Sequence, residues 1–237
     1  MIAKALKAYD EYEYHIIYHA LHNYCTLDLS AFYLDILKDR LYTSPPKSDA
    51  RKSAQTVMYV MLDCLARIMA PLLPFTAEEI WEHMPAHGDK APSVHLALLP
   101  EANSQWKDEG LAEKWEAILN LRAEVTKALE EARSAKQIGH PLDAAVTISA
   151  NEDLYNLLQP YAGDLRFIFI VSSVSLFKDK ELDGSFESEN VKGLSIKIEA
   201  AAGEKCERCW IHETSVGSDS EHPTICQRCC IALADMS

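Results

Sequence analysis

No stretch of this 237-residue chain reaches the roughly 18 consecutive apolar residues of a membrane-spanning helix, so none is expected. The first residues, MIAKALKAYDEYEYH, hold no apolar signal-peptide core. Positive charge is scarce: 23 Lys and Arg stand against 36 Asp and Glu, for a net charge of −13. That balance argues against a general nucleic-acid coat, which needs clustered cations, but leaves room for a local basic surface. The familiar catalytic signatures are missing too. There is no G-x-G-x-x-G, no P-loop, no H-E-x-x-H and no G-x-S-x-G. No internal repeat or low-complexity tract occurs beyond two cysteine hooks. A hydrophobic content of 48% and a charged content of 25% describe an ordinary globular protein of one to two large units or several small ones. Seven cysteines without a secretion signal fit a reducing cytosol.

Four of those cysteines carry the strongest signal. Cys206, Cys209, Cys226 and Cys229 form two C-x-x-C hooks in KCERCWIHETSVGSDSEHPTICQRCC. Each hook sets two sulfurs on one tight turn, and two hooks complete the tetrahedral shell that zinc prefers. A closed four-thiolate shell leaves no position for water, so one structural Zn2+ is expected, with no catalytic role. Cys230 competes for the last position, though it would widen the second hook to C-x3-C. His212 and His222 are expected to be polar surface residues, since four sulfurs already close the shell.

The fold class expected is α+β and mainly α. Residues 1–107 read as an antiparallel helical bundle plus an irregular linker. Tyr14, Ile17, Tyr18 and Leu21 recur at helical spacing, as do Phe32, Leu34, Ile36, Leu37 and Leu41. Thr43, Ser44, Pro45 and Pro46 break the pattern, and Ser48 or Asp49 offers a cap for the next helix. Thr76 is expected to cap a helix over AEEIWEHM, with Glu79 at the capping-box position. Residues 108–202 read as a linking helix to about Gln137, then a small α+β unit. The helix should bury Trp115, Ile118, Leu119, Val125 and Leu129. AAVTISA, FIFIVSSVSLF and GLSIKIEA have strand composition, with a helix over NEDLYNLLQPYAGDL between the first two. The acidic run DKELDGSFESEN is expected to be a solvated loop. Residues 203–237 are expected to form a four-cysteine, ribbon-like zinc module.

Other polar clusters have plainer readings. His15, His19 and His22 share helical spacing but are expected to be helix surface, not a metal face. Glu78 with Glu79, and Glu130 with Glu131, are expected on solvated helix faces. Trp81 and Trp115 fit apolar stripes, Trp106 fits neither class, and Trp210 either packs the small metal core, the reading favoured slightly, or presents a stacking face. One basic surplus stands out: Lys38, Arg40, Lys47, Arg51 and Lys52 against Asp39 and Asp49, a combination that fits a phosphate-following patch and a solvated helix-turn-helix corner equally well. Arg122, Lys127, Arg133 and Lys136, set among glutamates, are expected to make intrahelical ion pairs.

Taken together, these residues resemble the C-terminal portion of bacterial isoleucyl-tRNA synthetases over essentially the whole chain. YHALHNYCTLDLSAFYLDILKDRLY resembles that family's anticodon-binding helical domain, and MAPLLPFTAEEIWEHMP the next helical signature. LRAEVTKALEEARSAKQIGHPLDAAVTI resembles the junction domain, and GEKCERCW with ICQRCC the terminal zinc module. The resemblance implies recognition of the anticodon stem and loop of tRNA(Ile) in translation, by a cytoplasmic monomer with no membrane partner. The family's catalytic and editing domains, its partners upstream, are absent from these residues. ATP use and isoleucine attachment, the isoleucine-tRNA ligase activity, are therefore expected of the full-length enzyme and not of this chain alone. The RNA contacts expected are Lys38, Arg40, Lys47, Arg51, Lys52, Arg208, Trp210 and Arg228. CERCW and CQRCC also resemble the DNA-binding zinc finger of formamidopyrimidine-DNA glycosylases, but Met1, Ile2 and Ala3 replace the Pro-Glu start of such enzymes. A non-RNA zinc-ribbon interaction module is the remaining alternative.

Overall fold

A computed structural model describes residues 1–86, 88 and 90–235. The end of the expected zinc module, Met236 and Ser237, lies outside the described residues, as do His87 and Asp89 of the expected linker. The chain divides into two compact units, one of Met1–Leu41 with Pro46–Lys107 and the other of Tyr42–Pro45 with Asp108–Ser237.

The first unit is helical. Helices α1 (Ile2–Asp10) and α2 (Tyr14–Asn23) pack through Ala5, Ala8, Ile17 and Leu21 against Leu65 and Ile68 of α4 (Asp49–Met69). Alanines at 5 and 8 put no bulk between the helices, and both are essentially inaccessible. Tyr9 adds a polar tie, donating its hydroxyl to Ile68 O at 2.6 Å. The two apolar stretches expected after residue 14 join in one helical run, because Tyr24–Tyr33 continues α2 as a π-helix into α3 (Leu34–Thr43). The wider turn is visible where Leu34 N–H donates to Leu29 O, five residues back. No residue of that segment is fully buried. Ser48 caps α4, accepting from Arg51 N–H at 3.3 Å.

Helix α5 (Pro74–His83) starts two residues before the expected cap at Thr76. Proline fits the first helical turn because its missing N–H would have no partner there, and its φ is already helical. Glu78 is not a merely solvated acid: it accepts from Ser93 Oγ at 2.9 Å and Val94 N–H at 3.0 Å. Trp81 is core, as expected, and donates its indole N–H to Ala91 O at 2.8 Å.

The second unit sets a long helix on a four-stranded sheet. Asp108 caps α6 (Glu109–Ser134), accepting from Leu111 N–H at 2.9 Å. Ile118, Leu121, Val125, Ala128, Leu129 and Ala132 form its buried stripe. Leu119, expected to be buried, is 39% exposed because it lies off that stripe. Strand β1 (Ala144–Ala150) is parallel to β2 (Ser173–Lys178) and antiparallel to β4 (Leu194–Ala200). The two-residue β3 (Phe186–Glu187) completes the order β2-β1-β4-β3. Parallel pairing requires a crossover, supplied by α7 (Glu152–Leu158) and α8 (Leu165–Phe169). Asn151 caps α7.

Three expectations change here. FIFIVSSVSLF is not one strand: its first residues belong to α8, which ends where Ile170 turns to φ +58°, and only the later part joins the sheet. Burial of Leu165, Ile168 and Phe169 against the common core outweighs the β-branched composition. DKELDGSFESEN is tethered, since it contains β3 and its Ser188 and Asn190 bond Glu124 of α6. Among the α6 cations, Arg133 pairs with Glu130 along the helix, whereas Arg122 Nε donates to Ile168 O at 2.9 Å and Lys127 lies 5.0 Å from the Phe186 ring.

The cysteine-bearing segment packs within this second unit. Strands β5 (Glu204–Lys205) and β6 (His212–Glu213) pair antiparallel, and α9 (Gln227–Ala234) follows the second hook. Buried Ser172, just before β2, donates its hydroxyl to Leu142 O and accepts from His212 N–H at 2.7 Å. No helix among the described residues is long and apolar enough to cross a membrane.

Candidate metal centre and nucleic-acid interface

Gly203 sets the entry to the metal centre. Its φ is +86°, and a Cβ there would fall 2.4 Å from the carbonyl carbon of Glu213. Only glycine allows this approach, which brings β5 onto β6 and orients the first hook. His212 is fixed at the same corner, its Nδ1 3.1 Å from Gly203 O and its Nε2 3.4 Å from Asp143 Oδ1. It is half-buried and bonded, not a free surface residue, whereas His222 is exposed.

The hooks then converge. The sulfurs of Cys206, Cys209, Cys226 and Cys229 all lie within 4.8 Å of one another. Cys206 and Cys229 are separated by 3.8 Å, and Cys209 and Cys226 by 3.7 Å. A tetrahedron with Zn–S bonds of about 2.3 Å has edges of about 3.8 Å, so the donor set fits zinc. Cys206, Cys226 and Cys229 are fully buried. Cys226 N–H donates to Cys206 Sγ at 3.3 Å, which holds a thiolate in place. Cys230 stands outside the sulfur cluster, so the second hook closes through Cys229. Without metal, the hydrogen bond to Cys229 and then burial push the Cys209 thiol up to about 12, so zinc must displace its proton. Zinc here organises the fold: four sulfurs fill its shell, and among the described residues the metal-ligand cluster holds cysteines alone.

Of the two readings open for Trp210, the structure has the exposed face and not the packed one. The residue is 61% exposed, its backbone held at φ +66° by a bond from its N–H to Cys206 O at 2.8 Å. Lys205 Nζ lies 5.9 Å from its ring centroid. The result is an aromatic face with a cation beside it, a surface on which a nucleobase can stack. Arg208 and Arg228, by contrast, are half-buried. Arg208 Nη1 donates to Thr43 O at 2.7 Å and lies 3.6 Å from Cys229 Sγ. Arg228 lies 6.0 Å from the Phe167 ring.

The other expected contacts belong to the first unit. Lys38 is exposed and bonded to Asp35 at 2.7 Å. Arg40 is half-buried in the last turn of α3. Lys47 and Lys52 are exposed before and within the first turn of α4, and Arg51 is half-buried between them. His15, His19 and His22 are exposed on α2, Trp115 is half-buried against Tyr161, and Trp106 is 60% exposed. Tyr24 and Ser172 were not marked by any sequence pattern. Their polar partners, Met61 Sδ at 3.1 Å and the backbone of Leu142 and His212, lie far along the chain.

Comparison with known proteins is consistent across the chain. Residues 1–148 match the family described as the anticodon-binding domain of tRNA ligase. Residues 203–230 match the zinc finger found in FPG and IleRS. The isoleucine–tRNA ligase of Geobacter sulfurreducens is 52% identical over 230 residues, 97% of this chain and 24% of that protein. That of Syntrophotalea carbinolica is 50% identical over the same shares. That of Moorella thermoacetica is 45% identical over 238 residues, all of this chain and 26% of that protein. The chain thus spans about a quarter of the length of the curated relatives it matches. With a helical unit, a tetrathiolate site of the matching type and these identities, the chain belongs to the anticodon-binding family of tRNA ligases.

Proposed function

We propose that this chain recognises the anticodon stem-loop of tRNA(Ile) as a non-catalytic part of an isoleucine-tRNA ligase. The observation that carries the reading is the 52% identity to such a ligase over nearly the whole chain, together with the anticodon-binding match over residues 1–148. Lys38, Arg40, Lys47, Arg51 and Lys52 hold stem phosphates, which fixes register without reading sequence. Trp210 stacks an unpaired loop base, the form in which proteins usually read RNA sequence. Arg208 and Arg228 shape the zinc-bearing surface from behind. ATP use and isoleucine transfer belong to the whole ligase, whose catalytic and editing domains are the chain's natural partners. The protein works in the cytoplasm as a monomer.

The test is filter or fluorescence binding to tRNA(Ile) and to an unrelated tRNA at physiological salt. Tighter binding to tRNA(Ile), weakened roughly 10-fold by Trp210→Ala, is expected from stacking energies of about 1–3 kcal/mol per base. Equal affinity for both tRNAs by folded protein overturns the reading. The zinc-finger match is shared with FPG proteins. Preference for a DNA duplex over tRNA would favour the repair alternative, and binding to neither would favour a protein-interaction ribbon.

A further inference from the structure

Both hooks carry an arginine just before their second cysteine: Cys206-Glu207-Arg208-Cys209 and Cys226-Gln227-Arg228-Cys229. Each guanidinium addresses the opposite hook. Arg208 Nη1 lies 3.6 Å from Cys229 Sγ, and the Arg228 side chain hydrogen-bonds Cys209. The chemistry explains the pairing. One Zn2+ with four thiolates carries a net charge of about −2, in a site where three of the four cysteines are inaccessible. Two guanidinium groups offset that charge from just outside the sulfur shell.

Arg208 reaches further. The same Nη1 donates to Thr43 O at 2.7 Å, and Nη2 lies 3.4 Å from Tyr42 O. Both carbonyls belong to the last turn of α3 and lie in the same compact unit as Arg208. Thr43 is 7% exposed, so water has little access to replace the bond. One fork therefore joins the Cys229 sulfur to a backbone carbonyl 165 residues before Arg208 in the chain.

We infer that Arg208 is a positioning residue that ties zinc-bound Cys229 to the Tyr42 and Thr43 carbonyls of its own unit, so that metal occupancy governs the order of the Tyr42–Pro45 segment. A zinc-bound thiolate is a stronger acceptor than a neutral thiol and holds the guanidinium in the plane that serves both carbonyls. The coupling also runs backward, since a group bonded to a metal ligand raises metal retention. Lysine cannot substitute, because a single ammonium lacks the planar fork. The inference rests on the zinc site and is independent of tRNA recognition.

Hydrogen exchange of the whole chain tests it, read on the Tyr42, Thr43 and Ser44 amides with the β1 and β4 amides as internal reference. In zinc-loaded Arg208→Ala, exchange at those three amides is expected to rise at least 10-fold while the reference strands stay protected. Zinc transfer to a competing chelator should show affinity about 10- to 100-fold weaker. Arg208→Lys should follow Arg208→Ala in exchange. Wild-type protection at 42–44 in zinc-loaded Arg208→Ala overturns the inference. If that variant fails to fold or to hold zinc, the wild-type protein decides. Stepwise zinc removal should then raise exchange at 42–44 in proportion to metal lost, and unchanged protection there overturns the inference.

Discussion

Single side chains in this molecule do structural tasks that can be isolated. Tyr9 is one: its hydroxyl is bonded to Ile68 O, and burial, followed by the neighbouring Tyr14, pushes its pKa up to about 12. A raised acid favours the folded state while protonated. Its contribution is complete below pH 10 and is lost as pH climbs from 10 toward 12. Tyr9→Phe is expected to destabilise the first unit by about 1 kcal/mol in urea denaturation at neutral pH, with the difference shrinking above pH 10. Glu124 has the opposite sign. Bonds from Asn190 and then Ser188 hold its carboxyl below the usual range, although it is only 5% exposed. That support is present above the ordinary glutamate pKa and disappears as pH falls through the lowered one. Glu124→Gln should therefore flatten the acid limb of a melting-temperature profile, the part where pH falls below the ordinary glutamate range. An unchanged limb would mean Glu124 titrates alike in both states.

At the scale of elements, the decisive groups sit at the ends. Asn151 caps α7 by accepting from Leu154 N–H at 3.0 Å, and its amide donates to Lys192 O at 3.1 Å, beside the start of β4. Asn151→Ala removes a cap and an inter-element tie together, and should lower stability by about 1–2 kcal/mol in thermal or urea unfolding. Gly203→Ala is expected to be more damaging locally. The added methyl would collide with the Glu213 backbone, part the β5–β6 pair and release zinc, detectable with a chromogenic chelator. Element ends also mark the limits of sequence reasoning. β1 and β4 were legible because short runs rich in β-branched residues suit a strand. α8 was not, because Phe167, Ile168, Phe169 and Ile170 share that composition while a left-handed turn at Ile170 redirects the chain. The π-helical run also left no mark in the apolar spacing on either side of it.

For the molecule as a whole, zinc is the component most easily removed. The cysteine core is small, with Cys206, Ile225, Cys226 and Cys229 as its buried members. Such a core needs the metal. Chelation is expected to release one zinc per chain and disorder residues 203–235, while the α1–α5 helical signal persists in circular dichroism. Zinc should also leave on acidification, because protons compete for the four sulfurs. The clustering of the four sulfurs was legible in the sequence, since C-x-x-C spacing sets two sulfurs on one turn before any fold is known. The role of Arg208 was hidden there, because its acceptors are backbone carbonyls, which every residue has.

The Ser172 hydroxyl has a consequence for the order of assembly. It donates toward Leu142 and receives from His212, so this one atom binds chain made early to chain made late. During synthesis, Leu142 and Ser172 leave the ribosome well before His212. The donor side can form as soon as β1 and β2 pair, while the acceptor side waits for the final segment. A nascent chain stopped before residue 212 should thus hold a formed sheet with one lone pair open, and the cysteine hooks then dock onto a finished platform.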